Sequence, residues 1–243
     1  MFDLDIVIPV YNEGKNIAPV IQALEENVKT SFRVLICYDY DEDDTLAAAR
    51  GLEHSCTIDF VKNTGRGPHS AVLTGFKNST APAVLVYAAD DLTNAVIVDR
   101  MVHALRSGNE IVAASRFMKG GAMEGCPLLK SILVRTASFT MRFFAGLPIH
   151  DATNGFRMFS RRVTTEIPIE STDGFTFSIE LTVKAHRLRW PISEVPAIWR
   201  ERIRGKSRFR TIKWIPAYLR WYLYSFSTRF LRRTFVELNS GEK

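Results

Sequence analysis

Three cysteines in 243 residues, Cys37, Cys56 and Cys126, are too few and too scattered for a disulfide framework or a thiolate metal site. They fit the reduced thiols of a cytosolic protein. The histidines show no metal-ligand spacing, so His69, His103, His150 and His186 are expected to be structural or surface groups. No run of about 18 uncharged apolar residues occurs, which excludes a bilayer-spanning helix. The opening Met1-Phe2-Asp3-Leu4-Asp5 has no basic lead, and no signal peptide is expected. Neither a repeat nor a low-complexity segment is visible. Acidic residues are scarce at one end. From Arg187 onward there are 14 Lys/Arg against 4 Asp/Glu, leaving 18 against 22 before it. An acidic body with a basic tail implies phosphorylated substrates, anionic lipid or nucleic acid as partners.

What is present is a regular alternation. Leu4–Pro9, Phe32–Tyr38, Thr57–Lys62, Val84–Tyr87 and Glu110–Ser115 read as strands. Helical segments between them cover Asn16–Lys29, Thr45–Leu52, Ser70–Lys77 and Ala95–Arg106. Such alternation predicts parallel βαβ units wound into one sheet, with every loop after a strand on one sheet edge. Beyond residue 115 the pattern loosens. A flexible loop at 118–122, a helix over Leu128–Ala145, a turn at Asp151–Gly155, a strand Phe156–Phe159, a helix Phe175–Arg187 and a strand Ile192–Trp199 are expected. Arg200–Arg210 is crowded with Arg and Lys around Gly205 and reads as a mobile loop. An aromatic-rich helix broken near Pro216 follows over Lys213–Arg233.

The chain is organised around Tyr87-Ala88-Ala89-Asp90-Asp91-Leu92. Two carboxylates just past a strand's C-terminal end lie where open α/β sheets bind ligands. Side by side they suit a hard divalent cation that also holds substrate phosphates. The competing reading is a helix cap, with Asp91 or Asn94 opening the segment from Ala95.

Seven motifs then occur in order. They are Ile8-Pro9-Val10-Tyr11-Asn12-Glu13; Asp39-x-Asp41-x-Asp43-x-Thr45; Asn63-x-Gly65-Arg66-Gly67 with Gly75; and Ser115-Arg116-Phe117 with Gly120-Gly121. Asp151-x-Thr153-Asn154-Gly155-Phe156-Arg157, Gly174-Phe175-x-Phe177-x-x-Glu180-Leu181 and Arg202-x-x-Gly205-x-Ser207 complete the set. Together they span roughly residues 4–210. The chain resembles family 2 glycosyltransferases of GT-A fold, and within them the dolichol-phosphate mannose synthase-like, polyprenyl-phosphate branch. It departs at the opening stretch, where that family has Asp-x-Asp and this chain has Ala88 and Ala89. Thr93 stands where the branch often has Gln, and Asn154 where it has Ser.

The resemblance implies an α/β GT-A (Rossmann-like), mostly parallel sheet flanked by helices, with a catalytic domain at 1–210 and an amphipathic tail at 211–243. It implies a nucleotide-sugar donor held by Pro9, Tyr11, Glu13, Asp39, Asn63, Gly65, Arg66, Gly67 and Asp90. Mg²⁺ or Mn²⁺ is expected on Asp90 and Asp91, against the diphosphate. A lipid phosphate is already an anion and needs no base. It needs positive charge, ideally arginine, and Arg116, Arg135, Arg157, Arg202 and Ser207 are the candidates. Asp90, Asp91, Arg116 and Arg202 are assigned to catalysis. If the acceptor were a sugar hydroxyl, Asp173 or Asp151 would be the base, although Asp151 fits better as the residue that orders its own turn. The Arg200–Arg210 loop is expected to close over both phosphates.

In the tail, Trp214, Ile215, Tyr218, Leu219, Trp221, Tyr222, Leu223, Tyr224, Phe226, Phe230 and Leu231 interleave with Lys213, Arg220, Arg229, Arg232 and Arg233. This composition predicts an in-plane anchor on the cytoplasmic face of a membrane; the alternative is an oligomer contact or a core-packing helix. The expected reaction is inverting hexosyl transfer to a polyprenyl phosphate, with GDP-mannose the first donor and UDP-glucose the second. The rivals are transfer to a sugar hydroxyl, and a catalytically weak nucleotide-sugar or lipid binder. Nucleic acid ranks last, because the acidic loops would repel it.

Overall fold

The computed structural model describes residues 2–200 and 211–230. Its centre is a seven-stranded sheet in the order β3-β2-β1-β4-β7-β5-β8. The strands are β1 (Leu4–Pro9), β2 (Phe32–Tyr38), β3 (Thr57–Lys62), β4 (Ala83–Val86), β5 (Ile111–Ser115), β7 (Arg157–Ser160) and β8 (Ile192–Pro196). Six run parallel. β7 runs antiparallel to both neighbours, with Leu85 opposite Met158 and Val112 opposite Met158. A smaller sheet pairs β6 (Ala122–Glu124) with β9 (Ile198–Arg200).

Both faces of the large sheet are covered, which explains its continuous apolar strands. Leu4, Ile6, Ile8, Val34, Ile36, Leu85 and Tyr87 face one core. That core is closed by α1 (Gly14–Asn27), α2 (Asp44–Arg50) and α4 (Val98–Arg106). Val7, Leu35, Cys37, Val84 and Val86 face the other core. It is closed by α3 (Gly67–Asn78), α6 (Arg161–Glu166), α7 (Thr176–Arg187) and α8 (Thr211–Phe230). The remaining helix, α5 (Leu128–Phe143), lies peripherally, with only Ser138 and Met141 buried.

Four local expectations need correction. The strand expected over Ile192–Trp199 is two strands. Ala197 sits between them, its N–H donating to Ser115 and its carbonyl accepting from Ala122, and passes the chain from the large sheet to the small one. The segment 118–122 is less free than expected, because Gly121 packs on β5: a Cβ there would lie 2.3 Å from the Ser115 carbonyl oxygen. α6 was not foreseen; Ser160 caps it by accepting from the Val163 N–H. α8 runs unbroken through Pro216. Of the expected helix Lys213–Arg233, residues 231–233 lie outside the described residues.

Candidate functional site

The parallel strands bring the loops after β1, β2, β3, β4 and β5 to one sheet edge. Because β7 is antiparallel, its N-terminal end lies at this same edge. The motif Asp151–Arg157 thereby joins loops from which it is distant in sequence. β1 is flanked by β2 on one side and β4 on the other, so the crevice between the loops after β1 and β4 is the switch point where doubly wound sheets hold nucleotides.

The first three loops are bound to one another. Pro9 ends β1 opposite Cys37, and the next N–H, of Val10, donates to the Cys37 carbonyl. Asn12 adopts a left-handed conformation (φ 54°). Its N–H donates to Asp43, and its side chain accepts from the Tyr40 hydroxyl. Glu13 N–H donates to Thr45 and Gly14 N–H to Asp44, while the Glu13 carboxylate accepts from Asn16. Asp43 also caps α2 through the Thr45 N–H, so these acidic residues build the loop. Tyr11 stays half exposed and meets Tyr40 edge-on, with ring centroids 5.5 Å apart. The pair therefore presents the Tyr11 ring to solvent beside the switch point, with Tyr40 bracing its edge.

Asn63 is the knot of the third loop. Buried, it donates to Asp39 at 2.6 Å and accepts from Gly65 N–H, Ser70 and Thr74. The other Asp39 oxygen accepts the Gly67 N–H at 2.8 Å. Gly67 has φ +81° and opens α3, with Arg66 as its cap residue. A Cβ on Gly65 would lie 2.3 Å from Ser70 Oγ. Gly67 is therefore demanded by its backbone conformation and Gly65 by the Ser70 side chain packed against it, and the loop leads into a helix N-terminus of the kind that favours phosphate.

At the acidic pair, the Asp91 carboxylate is already engaged. Oδ1 accepts the N–H groups of Thr93 and Asn94, and Oδ2 accepts from Asn94 Nδ2 at 2.6 Å. Asp91 thus orders its own turn rather than capping a helix: the cap position of the segment opening at Ala95 is Asn94, which makes no side-chain cap bond. Burial raises the Asp91 pKa against these bonds. Asn94 then reaches β9, pairing its amide with both the N–H and the carbonyl of Ile198. It ties the acidic loop to the strand that precedes residue 201. Ala88 is exposed, whereas Ala89 is buried in the core. Among the described residues no group of three or more His, Cys, Asp or Glu side chains could hold a metal by itself.

The sequence profile of glycosyl transferase family 2 matches residues 5–167. A polyprenol monophosphomannose synthase of Mycolicibacterium smegmatis is 30% identical over 84% of this chain and 79% of its own length. The chain belongs to glycosyl transferase family 2. It is also 26% identical to a dolichol-phosphate mannosyltransferase of Pyrococcus furiosus, over 89% of this chain but only 62% of that longer protein. Among solved structures, glucosyl-3-phosphoglycerate synthase from Mycobacterium tuberculosis with UDP superposes with a TM-score of 0.67 at 17% identity, covering 93% of this chain and 80% of that one. The same enzyme with Mn²⁺, UDP and phosphoglyceric acid gives 0.66 at 16% identity, covering 94% and 78%. This likeness establishes the GT-A fold.

In this glycosyltransferase the four expected phosphate arginines part company. Arg116 follows β5 and donates to both Asp151 oxygens and to Thr153. Its Nη1 meets only the Met123 thioether, at 3.8 Å, among the described residues. Arg135 stands exposed on α5 with its guanidinium over the Phe117 ring at 4.7 Å. Arg157, expected as a phosphate contact, is fully buried. Its five N–H groups go to the carbonyls of Asn154, Asp151, Ala152 and Ser178 and to the Thr182 hydroxyl. No donor remains for a ligand, and burial pushes its pKa down to about 10. It builds the Asp151–Arg157 loop from beneath. Arg202 and Ser207 lie outside the described residues.

Asp151 orders its turn by accepting from the Thr153 and Asn154 N–H groups. Burial works to raise its pKa, but the Arg116 charge prevails and holds it below the usual carboxylate range. It is not an available base. Asp173, the other candidate, is exposed beside the N-terminus of α7.

Two residues escaped the sequence reading. Thr153 was visible in its motif but had no role until Arg116 was seen to reach it. Asn94 was seen only as a cap; its second bond, 104 residues away in the chain, leaves no local signal.

Proposed function

We propose that this glycosyltransferase transfers a hexose, with inversion, from a nucleotide sugar to a polyprenyl phosphate at the cytoplasmic face of a membrane. The observation that carries this reading is the lock between Arg116 and Asp151. It removes a buried carboxylate from service as a base and holds an arginine at the sheet edge. An acceptor that is already an oxyanion fits such a site. The names of the two curated relatives point the same way.

In the reaction, an acceptor phosphate oxygen attacks the anomeric carbon of the sugar. The bond from that carbon to the nucleoside diphosphate breaks, and the diphosphate leaves with the electron pair. Tyr11 and Tyr40 offer the base a surface, Glu13 and Asp39 offer acceptors to its N–H groups or to the ribose hydroxyls, and the 63–67 loop approaches the diphosphate. Arg116 steadies the acceptor phosphate, joined by Arg135, Arg202 and Ser207.

A divalent ion is part of the proposal, since the structural neighbour was solved with Mn²⁺ and UDP. Among the described residues Asp91 Oδ2 accepts one hydrogen bond, from Asn94, and so retains a lone pair. That oxygen and Asp90 would hold the ion, which takes its other ligands from water and diphosphate, as Mg²⁺-type sites with one or two carboxylates do. Bound there, it would neutralise charge on the departing nucleoside diphosphate.

The test is transfer of labelled mannose from GDP-mannose, or glucose from UDP-glucose, into an organic-extractable lipid, with polyprenyl phosphate present. Label that appears in the organic phase with Mn²⁺ or Mg²⁺ and vanishes with EDTA is expected. Label confined to a water-soluble product would move the acceptor to a sugar hydroxyl. Donor binding without turnover, across a wider donor screen, would make the protein a binder.

A further inference from the structure

We infer that His69 is a positioning residue of the transfer site, a role that rests on the two-substrate reading of that site. Through Ser171 it fixes the gap between the loop that approaches the donor diphosphate and the Asp151–Arg157 turn. His69 lies in the first turn of α3, just after Gly67, and is 5% exposed. It is too buried to meet a substrate itself. Its Nε2 lies 3.0 Å from the Ser171 hydroxyl, 102 residues along the chain.

The packing around it does not call for a histidine. Phe76, Phe159 and Phe177 meet edge to face in this core, and the imidazole adds its own edge contact to Phe177 at 5.9 Å. A hydrocarbon side chain would fill the place without the cost of desolvating polar atoms. Burial lowers the His69 pKa, outweighing the nearby Glu180 and Asp173 carboxylates, so the ring is neutral at pH 7. What a neutral imidazole adds here over a hydrocarbon is its bond to Ser171.

Ser171 is a fixed point. Glu180 on α7, fully buried, accepts the N–H groups of Glu170 and Ser171. Lys184, one turn further along α7, donates to Glu180, to Glu170 and to the Pro168 carbonyl. From Ser171 the chain runs on to Phe175, whose side chain lies against Gly155: a Cβ on that glycine would come within 3.5 Å of it. Gly67, His69, Ser171, Phe175 and Gly155 thus form one span across the site. A single hydrogen bond joins its two halves. Transfer between two bound substrates falls steeply when their reacting atoms are misplaced, so loosening that bond should slow the reaction.

The test compares the full wild-type chain with Ser171→Ala, His69→Gln and His69→Leu/Ser171→Ala. Replacing both partners by apolar groups strands no polar atom, so the double variant should melt close to wild type; Ser171→Ala is the second reporter should it not fold. Titration calorimetry with GDP and with UDP, each with Mn²⁺, reads the donor side, and labelled lipid product reads kcat. Ser171→Ala should raise the Kd for the nucleoside diphosphate about tenfold and lower kcat at least as much. The double variant should do no worse, because the same bond is lost in both. His69→Gln, whose amide can reach Ser171, should recover most of each. A wild-type chain that makes no lipid-linked sugar, while Ser171→Ala still weakens diphosphate binding, would remove the lipid acceptor and leave the positioning role. Variants that bind and turn over like wild type would overturn the inference. So would a lowered melting temperature with Kd and kcat unchanged in the folded fraction, which is what a purely structural bond would give.

Discussion

Asp151 grips Arg116 with both carboxylate oxygens, at 2.6 and 2.9 Å, and both residues are buried. Removing one partner leaves the other charge buried and unpaired. Asp151→Asn is therefore expected to lower stability by about 3–5 kcal/mol, read as a shift in denaturant midpoint. A true general base would instead lose turnover with its stability intact. Arg116→Lys should fold better than Asp151→Asn but lose transfer, because an ammonium cannot span both oxygens.

Arg157 should behave as a structural residue. Arg157→Lys supplies three donors where five acceptors wait, and the unmet carbonyls cost about 1–3 kcal/mol each. Its melting temperature should fall clearly, while KM for the acceptor should hold in whatever fraction stays folded. A raised acceptor KM in a fully stable Arg157→Lys protein would return this residue to the site.

Asn63 offers a test of the donor loops. Asn63→Ala unpairs Asp39, Gly65, Ser70 and Thr74 together, and KM for the nucleotide sugar should rise about tenfold, equivalent to about 1.4 kcal/mol. Asn63→Asp should be worse, since it sets a second carboxylate against Asp39. Donor titrations of both variants check the order.

The acid limb of stability should report on Asp5. This buried carboxylate accepts from Arg33, Ser79, Thr80 and Ala81. Burial raises its pKa, but those partners outweigh burial and leave it below the ordinary value. A depressed folded pKa means stability that is complete above the unfolded value of about 3.9 and is lost as pH falls through the folded one. Asp5→Asn should be less stable at pH 7 and lose less between pH 5 and pH 2. Parallel melting curves for the two proteins across that range would contradict this.

The sequence disclosed the parallel half almost completely, because its strands are apolar runs divided by amphipathic helices. Leu4–Pro9 and Phe32–Tyr38 fell where expected, residue for residue. It did not disclose direction. Phe156–Phe159 reads as a strand in either orientation, and only pairing with β4 and β5 makes it antiparallel. The same limit applies to the arginines. Arg116 and Arg157 look alike in their motifs and both are buried; what separates them is that all five Arg157 donors go to protein oxygens, whereas Arg116 Nη1 meets a thioether among the described residues. In the tail, Trp221 was expected among the interfacial aromatics, yet it packs into the core. The exposed leucines and phenylalanines of α5 went unread because such a helix ordinarily signals a core.

The insertion of β7 between β4 and β5 sets a schedule for synthesis. Until Arg157–Ser160 emerges, β4 has a bare edge of unpaired N–H and carbonyl groups. A ribosome adding about 5–20 residues per second needs roughly 4–15 s to travel from β4 to β7. For that interval the nascent chain carries a hydrophobic, template-like strand in need of protection. A chaperone that engages chains halted after residue 115 and releases those halted well beyond residue 160, once Ser160 has cleared the exit tunnel, would mark the moment the sheet closes.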